Sequence, residues 1–303
     1  MILCCGEALI DMIPARSTDG APGFTPCNGG AALNTAITLA RMGASAGLLA
    51  GLSSDRFGRQ LAAALDHSGV DRTLVVTSNR PTTLAFVHLD TGEASYTFYD
   101  QNSAMRMLTP DDLPPLPDHV KCLLLGGISL CHAPGADMFE ALGERAKPRL
   151  IMFDPNVRPG FIGDEGTYRA RLGRMMARAH IVKLSKPDLD WLDRRDVPWQ
   201  DKLDKVLMSG PSLILFTRGA QGAIACHRDG RQVEVAAQKV EVLDTVGAGD
   251  AFTAGFLARL QGLELLVPKR IEIIGTDILR DCLERATNAA AASLSRSGGA
   301  QIS

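Results

Sequence analysis

Apolar residues gather in short runs separated by longer mixed stretches. Ile2 to Cys5, Cys122 to Leu125, Leu150 to Phe153, His180 to Leu184 and Leu213 to Phe216 are apolar with almost no polar alternation. Runs this short, covered on both faces, predict interior parallel strands. Ala31 to Met42, Asp55 to His67, Ala136 to Ala146 and Ala251 to Leu260 read as the crossover helices between strands, and Gly43 as a stop for the first. The alternation predicts an α/β layered sheet. Two stretches depart from it. Asp11 to Pro26 carries Pro14, Gly20, Pro22, Gly23 and Pro26 and is not a helix. Thr83 to Asp90 and Ala94 to Asp100 alternate as Leu84, Phe86, Leu89, then Tyr96, Phe98, around a polar Thr91-Gly92-Glu93 turn. That pattern predicts an antiparallel hairpin with one face exposed, a β-rich flap inserted in the α/β frame.

Composition narrows the function classes. The 303 residues are 46% hydrophobic and 22% charged, with Lys+Arg 32 against Asp+Glu 34 and a formal net charge of −2. Disorder is excluded, and nothing in the charge favours a nucleic-acid or anionic-membrane partner. No apolar run approaches the roughly 20 residues of a membrane span, and Met1 to Glu7 lacks the basic flank of a signal peptide. The seven cysteines, Cys4, Cys5, Cys27, Cys122, Cys131, Cys226 and Cys282, contain no C-x-x-C pair. They read as reduced thiols of a cytoplasmic protein.

The most informative string is Asp244-Thr245-Val246-Gly247-Ala248-Gly249-Asp250, running into an apolar helix. Small residues at 247 to 249 expose backbone N–H groups at a helix N-terminus, a hole suited to a phosphoryl group. A carboxylate beside such a hole competes with phosphate. Asp250 makes sense there if it takes a proton from a hydroxyl attacking that phosphate. The bland alternative is a Gly-rich turn with Asp250 as a helix cap. A second string, Asn28-Gly29-Gly30-Ala31-Ala32-Leu33-Asn34, also opens a helix, and Asn34 offers a donor and an acceptor to hydroxyl groups. There is no G-x-x-x-x-G-K-[ST], no G-x-G-x-x-G after the first strand and no paired histidine spacing for a metal. Cys131-His132 are adjacent on an extended stretch and point to opposite faces.

Together the two strings resemble the signatures of the ribokinase-like, or PfkB, carbohydrate kinases. Gly6-Glu7-Ala8-Leu9-Ile10-Asp11, Asp154-Pro155-Asn156-Val157-Arg158 and Thr217-Arg218-Gly219-Ala220-Gln221-Gly222 are similar to strings of its fructokinase-like branch or of the whole family. Asn288, with Gly299-Ala300 after it, resembles the C-terminal helix and tail. The resemblance implies one ribokinase-like α/β domain over 1–303, a mainly parallel sheet flanked by helices, with a small β-rich lid from segments near 11–27 and 82–104. It implies Asp250 as base, with Gly247, Ala248 and Gly249 as the anion hole. It places Asp11, Gly29, Gly30, Asn34 and Phe98 at the sugar, Asn156 and Arg158 between sugar and phosphates, and Thr217, Gly219, Gly222, Gly249 and Asn288 along the nucleotide. ATP and Mg²⁺ are the implied cofactors, with K⁺ beside Asp244, Val246 and the tail ending at Ser303. A homodimer through the lid is the implied assembly.

The implied reaction is ATP-dependent phosphorylation of a primary hydroxyl, D-fructose to fructose 6-phosphate, with 2-keto-3-deoxygluconate as the nearest alternative substrate. A non-catalytic sugar-binding protein on the same scaffold is the rival class, and an NAD-dependent dehydrogenase lacks its phosphate fingerprint. Three departures stand out. Asp188, in Lys183-Leu184-Ser185-Lys186-Pro187-Asp188, occupies the place of a family Glu that organises magnesium-bound water. Asp100 follows the lid aromatics where many relatives have Arg, and it is expected to disfavour an anionic sugar. Pro159-Gly160-Phe161 replaces a common Trp.

Overall fold

The computed structural model describes residues 1–88, 95–243 and 245–295. In chain order, β1 (Ile2–Cys5), β2 (Leu9–Arg16) and β3 (Pro22–Gly29) precede α1 (Ala31–Arg41). Next come β4 (Ala46–Leu49), β5 (Gly51–Ser53), α2 (Arg56–Ser68), β6 (Val76–Ser78), β7 (Leu84–His88) and β8 (Ser95–Tyr99). The central elements are β9 (Cys122–Gly126), α3 (Gly135–Glu144), β10 (Leu150–Asp154), α4 (Glu165–Arg178), β11 (Ile181–Ser185), α5 (Lys186–Leu192), α6 (Trp199–Ser209) and β12 (Leu213–Thr217). β13 (Ala223–His227), β14 (Gln232–Val235), α7 (Ala248–Gly262), α8 (Pro268–Glu272) and α9 (Thr276–Leu294) complete the described chain.

The large sheet has the order β14-β13-β12-β11-β10-β9-β1-β4, parallel from β12 to β4 and antiparallel in the pairs β12–β13 and β13–β14. Its strands are apolar on both faces because both faces are covered. Along β1, Ile2 and Cys4 join one core with α1, α2, α7 and α9, while Leu3 and Cys5 join another with α3, α4 and α6. Chain order reverses at β1, which pairs with β4 on one side and β9 on the other. A crevice at the carboxyl ends of strands beside such a reversal is where α/β folds bind ligands.

A separate four-stranded sheet, β3-β2-β7-β8, stands beside this layer. β7 and β8 pair antiparallel as expected, with Ala85 opposite Phe98 and Val87 opposite Tyr96, and the turn at 91–93 falls outside the described residues. β2 joins β7 in parallel, with Asp11 opposite Ala85. The two segments read from sequence as irregular or inserted thus form one sheet. Among the described residues no helix is long and apolar enough to cross a membrane.

Candidate active site

The paired glycines before α1 each serve a separate contact. A Cβ on Gly29 would lie 2.1 Å from Oδ2 of Asp11 on the neighbouring strand, so Gly29 makes room for that carboxylate. Gly30 has φ +104, and a Cβ there would meet the carbonyl oxygen of Glu7 at 2.5 Å. Only glycine satisfies both the torsion and the approach. Burial pushes Asp11 up to about 6, against the pull of Arg158.

α7 begins at Ala248, with Gly247 in the left-handed region (φ 78) as its N-cap and no side chain capping it. Its first N–H groups have no partner inside the helix, and the helix dipole adds positive potential at that end. Asp250 therefore is not the cap of α7. Asn34 Nδ2 donates to Asp250 Oδ2 at 3.0 Å, which brings the first turns of α1 and α7 together. Asn34 Oδ1 is buried without a protein partner. Burial pushes Asp250 up to about 7, with the Asn34 hydrogen bond and Lys183 pulling the other way. A carboxyl poised there can accept a proton at neutral pH.

Between the two helix ends lies a small cleft lined by Cys5, Ala31, Thr35, Gly126, Asp154 and Asp250, among others. Asp154 ends β10, and its Oδ2 accepts from Lys183 Nζ at 2.7 Å in a buried ion pair. Burial alone would lower the Lys183 pKa, but Asp154, Asp188 and Asp250 hold it above its usual value. Arg158 Nη1 donates to the carbonyls of Asn156 and Val157 at 3.3 and 3.2 Å. Asn156 itself sits at φ 43, a turn that carries the chain from β10 into this loop. The charge of Arg158 opposes the burial that raises Glu7, Asp11, Asp154 and Asp250.

Asp188 lies in the first turn of α5. Its Oδ1 accepts from Val157 N–H at 2.8 Å and its Oδ2 from Ser185 N–H at 2.9 Å, in a capping box that starts α5. It is 4% exposed. Asp188 is a cap that ties the loop at 157 to β11. Among the described residues no group of three or more His, Cys, Asp or Glu side chains is placed to hold a metal ion. Of the expected potassium site only Val246 is described, since Asp244 and Ser303 lie outside the described residues.

Asp100 overturns its expected role. It is 3% exposed, its Oδ1 accepts from Thr83 Oγ1 and Ser103 Oγ at 2.8 and 2.7 Å, and Arg106 approaches Oδ2 at 4.0 Å. Its carboxylate anchors the base of the hairpin and presents no charge to the cleft. Phe98 stacks on Tyr96 and meets Phe161 at 4.6 Å between centroids, with His132 edge-on to Phe161 at 4.7 Å. Phe161, noted in the sequence only as a departure, is thus the ring that joins the small sheet to the body. The Cys131 thiol is pushed up to about 12 by burial and is no nucleophile.

The remaining expected residues gather at the far end of the large sheet. Thr217 ends β12, Gly219 and Gly222 form the turn into β13 at φ 57 and 85, and Asn288 is exposed on α9, where its Oδ1 accepts from Gln238. Sequence reasoning missed Glu7, Asp154 and Lys183. Glu7 is buried and accepts from Ala31 N–H and Ser129 N–H at 3.4 and 3.3 Å, tying the start of α1 to the loop after β9. A lysine inside an otherwise apolar strand was the available signal for Lys183.

A family model described as pfkB family carbohydrate kinase matches residues 1–303. A fructokinase of Rhizobium leguminosarum bv. trifolii is 44% identical over 288 residues, 93% of this chain and 86% of the relative. A fructokinase of Escherichia coli is 32% identical over 269 residues, 88% of this chain and 86% of the relative. Among solved structures, a fructokinase with bound ATP from Xylella fastidiosa superposes with a TM-score of 0.89 at 27% identity, covering 99% of this chain and 94% of that one.

Proposed function

The chain belongs to the pfkB family of carbohydrate kinases, and on that premise we propose that it transfers the γ-phosphoryl group of ATP to the primary hydroxyl of D-fructose, giving fructose 6-phosphate and ADP. The observation that carries the chemistry is Asp250, hydrogen-bonded to Asn34, beside the uncapped N-terminus of α7. Asp250 takes the hydroxyl proton while the sugar oxygen bonds to the γ-phosphorus and the bond to the β,γ-bridging oxygen breaks. The N–H groups at Gly247, Ala248 and Gly249 face the charge that develops on the phosphoryl oxygens, Ala248 N–H giving up its long 3.4 Å bond to the Thr245 carbonyl. Asp11 and Asn34 hold sugar hydroxyls, and the orphaned Oδ1 of Asn34 is an acceptor for one of them. Asn156 and Arg158 lie between sugar and phosphates, and Thr217, Gly219, Gly222 and Asn288 border the nucleotide.

Mg²⁺ would be held on the phosphates of ATP, its usual mode with nucleotides, and would neutralise part of their charge. K⁺ is proposed at the carbonyl of Val246, the member of the implied set that lies within the described residues, and equal activity in K⁺ and in a bulky organic cation would remove it. A neutral sugar suits the cleft better than a sugar acid, because the acidic side chains of Asp154 and Asp250 line it. With Asp100 turned inward, the preference rests on these two carboxyl groups. The test is ADP release with fructose, 2-keto-3-deoxygluconate, ribose and glucose. Fructose is expected to give the highest kcat/KM, and a keto-acid advantage of about tenfold, or 1.4 kcal/mol, would overturn the substrate while leaving the family intact. No ADP release with any sugar would favour a binding protein.

The seven cysteines are all free thiols, which supports work in a reducing compartment such as the cytoplasm. The outer face of the small sheet carries Phe24 and Tyr99, 46% and 62% exposed, each edge-on to Phe86. A self-complementary apolar patch of this kind is most simply covered by a two-fold partner, so a homodimer through the lid belongs to the proposal. Sedimentation at micromolar concentration tests it, and a clean monomer mass would reject it.

A further inference from the structure

Lys183 occupies the middle of β11, where Ile181, Val182 and Leu184 are fully buried, and it is itself 4% exposed. One of its three donors goes to Asp154 Oδ2 at 2.7 Å. A buried ion pair is a poor device for stability alone, since apolar side chains of similar volume often serve a fold as well or better. Two further observations aim this pair at the cleft. Nζ lies 3.2 Å from the place a Cβ on Gly249 would occupy, so the ammonium sits against the first turn of α7. Asp154, which lines the cleft with Asp250, keeps Oδ1 buried with no partner.

Granting the phosphoryl transfer proposed above, we infer that Lys183 is a further catalytic residue, which contacts a non-bridging oxygen of the phosphoryl group as it passes from ATP to the sugar. The α7 N–H groups meet that group from the helix side and Lys183 from the sheet side. Asp154 holds the ammonium in place through Oδ2. In the transfer the sugar oxygen gains the bond to phosphorus, ADP keeps the electron pair of the broken bond, Asp250 takes the proton, and Lys183 exchanges no atoms. Its charge matters most where negative charge spreads over the three equatorial oxygens, so it acts on the transition state more than on bound ATP.

The test uses the full chain with Lys183→Met, and with Lys183→Met/Asp154→Asn so that no carboxylate is left buried alone. Thermal melts establish that the double variant folds. The expected result is a kcat about 10²–10³-fold below the parent in both variants, the loss seen when one preorganised donor is removed. KM for the sugar and binding of ADP should stay within about threefold, and binding of ADP with aluminium fluoride in the presence of sugar should weaken by a factor near the loss in kcat. A folded double variant with kcat within about threefold of the parent would overturn the inference, as would a loss confined to KM. If the parent prefers another sugar, the substrate proposal fails and the same comparison on that sugar decides Lys183. A parent that phosphorylates no sugar overturns both.

Discussion

The side-chain amide of Asn34 donates to Oδ2 of Asp250 over 3.0 Å, across 216 positions of chain. Because an amide N–H can donate to an ionised carboxylate but does not give up its proton to it, this bond aims the base without quenching it. It also opposes the burial that raises the Asp250 pKa. The kcat/KM for the sugar should therefore rise with pH through about 7, as the carboxyl ionises.

Asn34→Ala removes a hydrogen bond that favours the ionised form, so the midpoint of that profile should move to higher pH and activity at neutrality should fall. Rate profiles across about pH 5 to 9 read both effects. An unmoved midpoint would separate Asn34 from the base.

Asp250→Asn should lose about 10²–10⁴ in kcat while keeping nucleotide binding. Its stability carries a second sign. A carboxyl near 7 in the folded protein and 3.8 in an unstructured peptide binds its proton more tightly when folded, so the parent loses stability as pH rises through that window. The asparagine has no such proton. Its melting temperature should exceed the parent's by more at about pH 8 than at about pH 4. Equal differences at both pH values would mean that Asp250 is not held near 7.

Gly29→Ala places a methyl where the Asp11 carboxylate now lies, at 2.1 Å from Oδ2. That side chain can swing away, so the fold should survive while KM for the sugar rises by roughly tenfold or more, about 1.4 kcal/mol of binding. KM for ATP should be unchanged. Parallel KM measurements on both substrates check it.

Phe161→Ala removes the ring that meets Phe98 at 4.6 Å. An aromatic pair contributes about 0.5–1.5 kcal/mol beyond its area, so KM for the sugar should rise roughly two- to twelvefold with little change in kcat. Steady-state kinetics on the sugar decide it, and a fall in kcat alone would contradict the binding role.

Interior strands were legible in the sequence because burial on both faces writes an unbroken apolar run. Cys122 to Leu125 and Leu150 to Phe153 each fall one residue short of the observed strands, at Gly126 and Asp154, where the chain turns polar to meet the cleft. β14 alternates exposed and buried positions at the sheet edge and gave no such run. Asp250 and Asn34 were legible because glycines and a helix start mark them locally. Lys183, Asp154 and Phe161 were not, because their partners come from distant segments. Asp100 failed for the same reason: the residues that enclose it, Thr83 and Ser103, are set by tertiary packing.

Asp11 belongs to a strand of the small sheet and Asp250 to a helix over the large one, with β2–β7 pairing the link between the two small-sheet segments. Recognition by the small sheet and proton transfer at α7 are therefore carried by separate stretches of the chain that meet at Asn34. Changes confined to β2, β7 and β8 would alter the small-sheet side of acceptor recognition while leaving Asn34, Asp250 and the start of α7 in place. A laboratory library confined to those strands would explore acceptor range under the same protection.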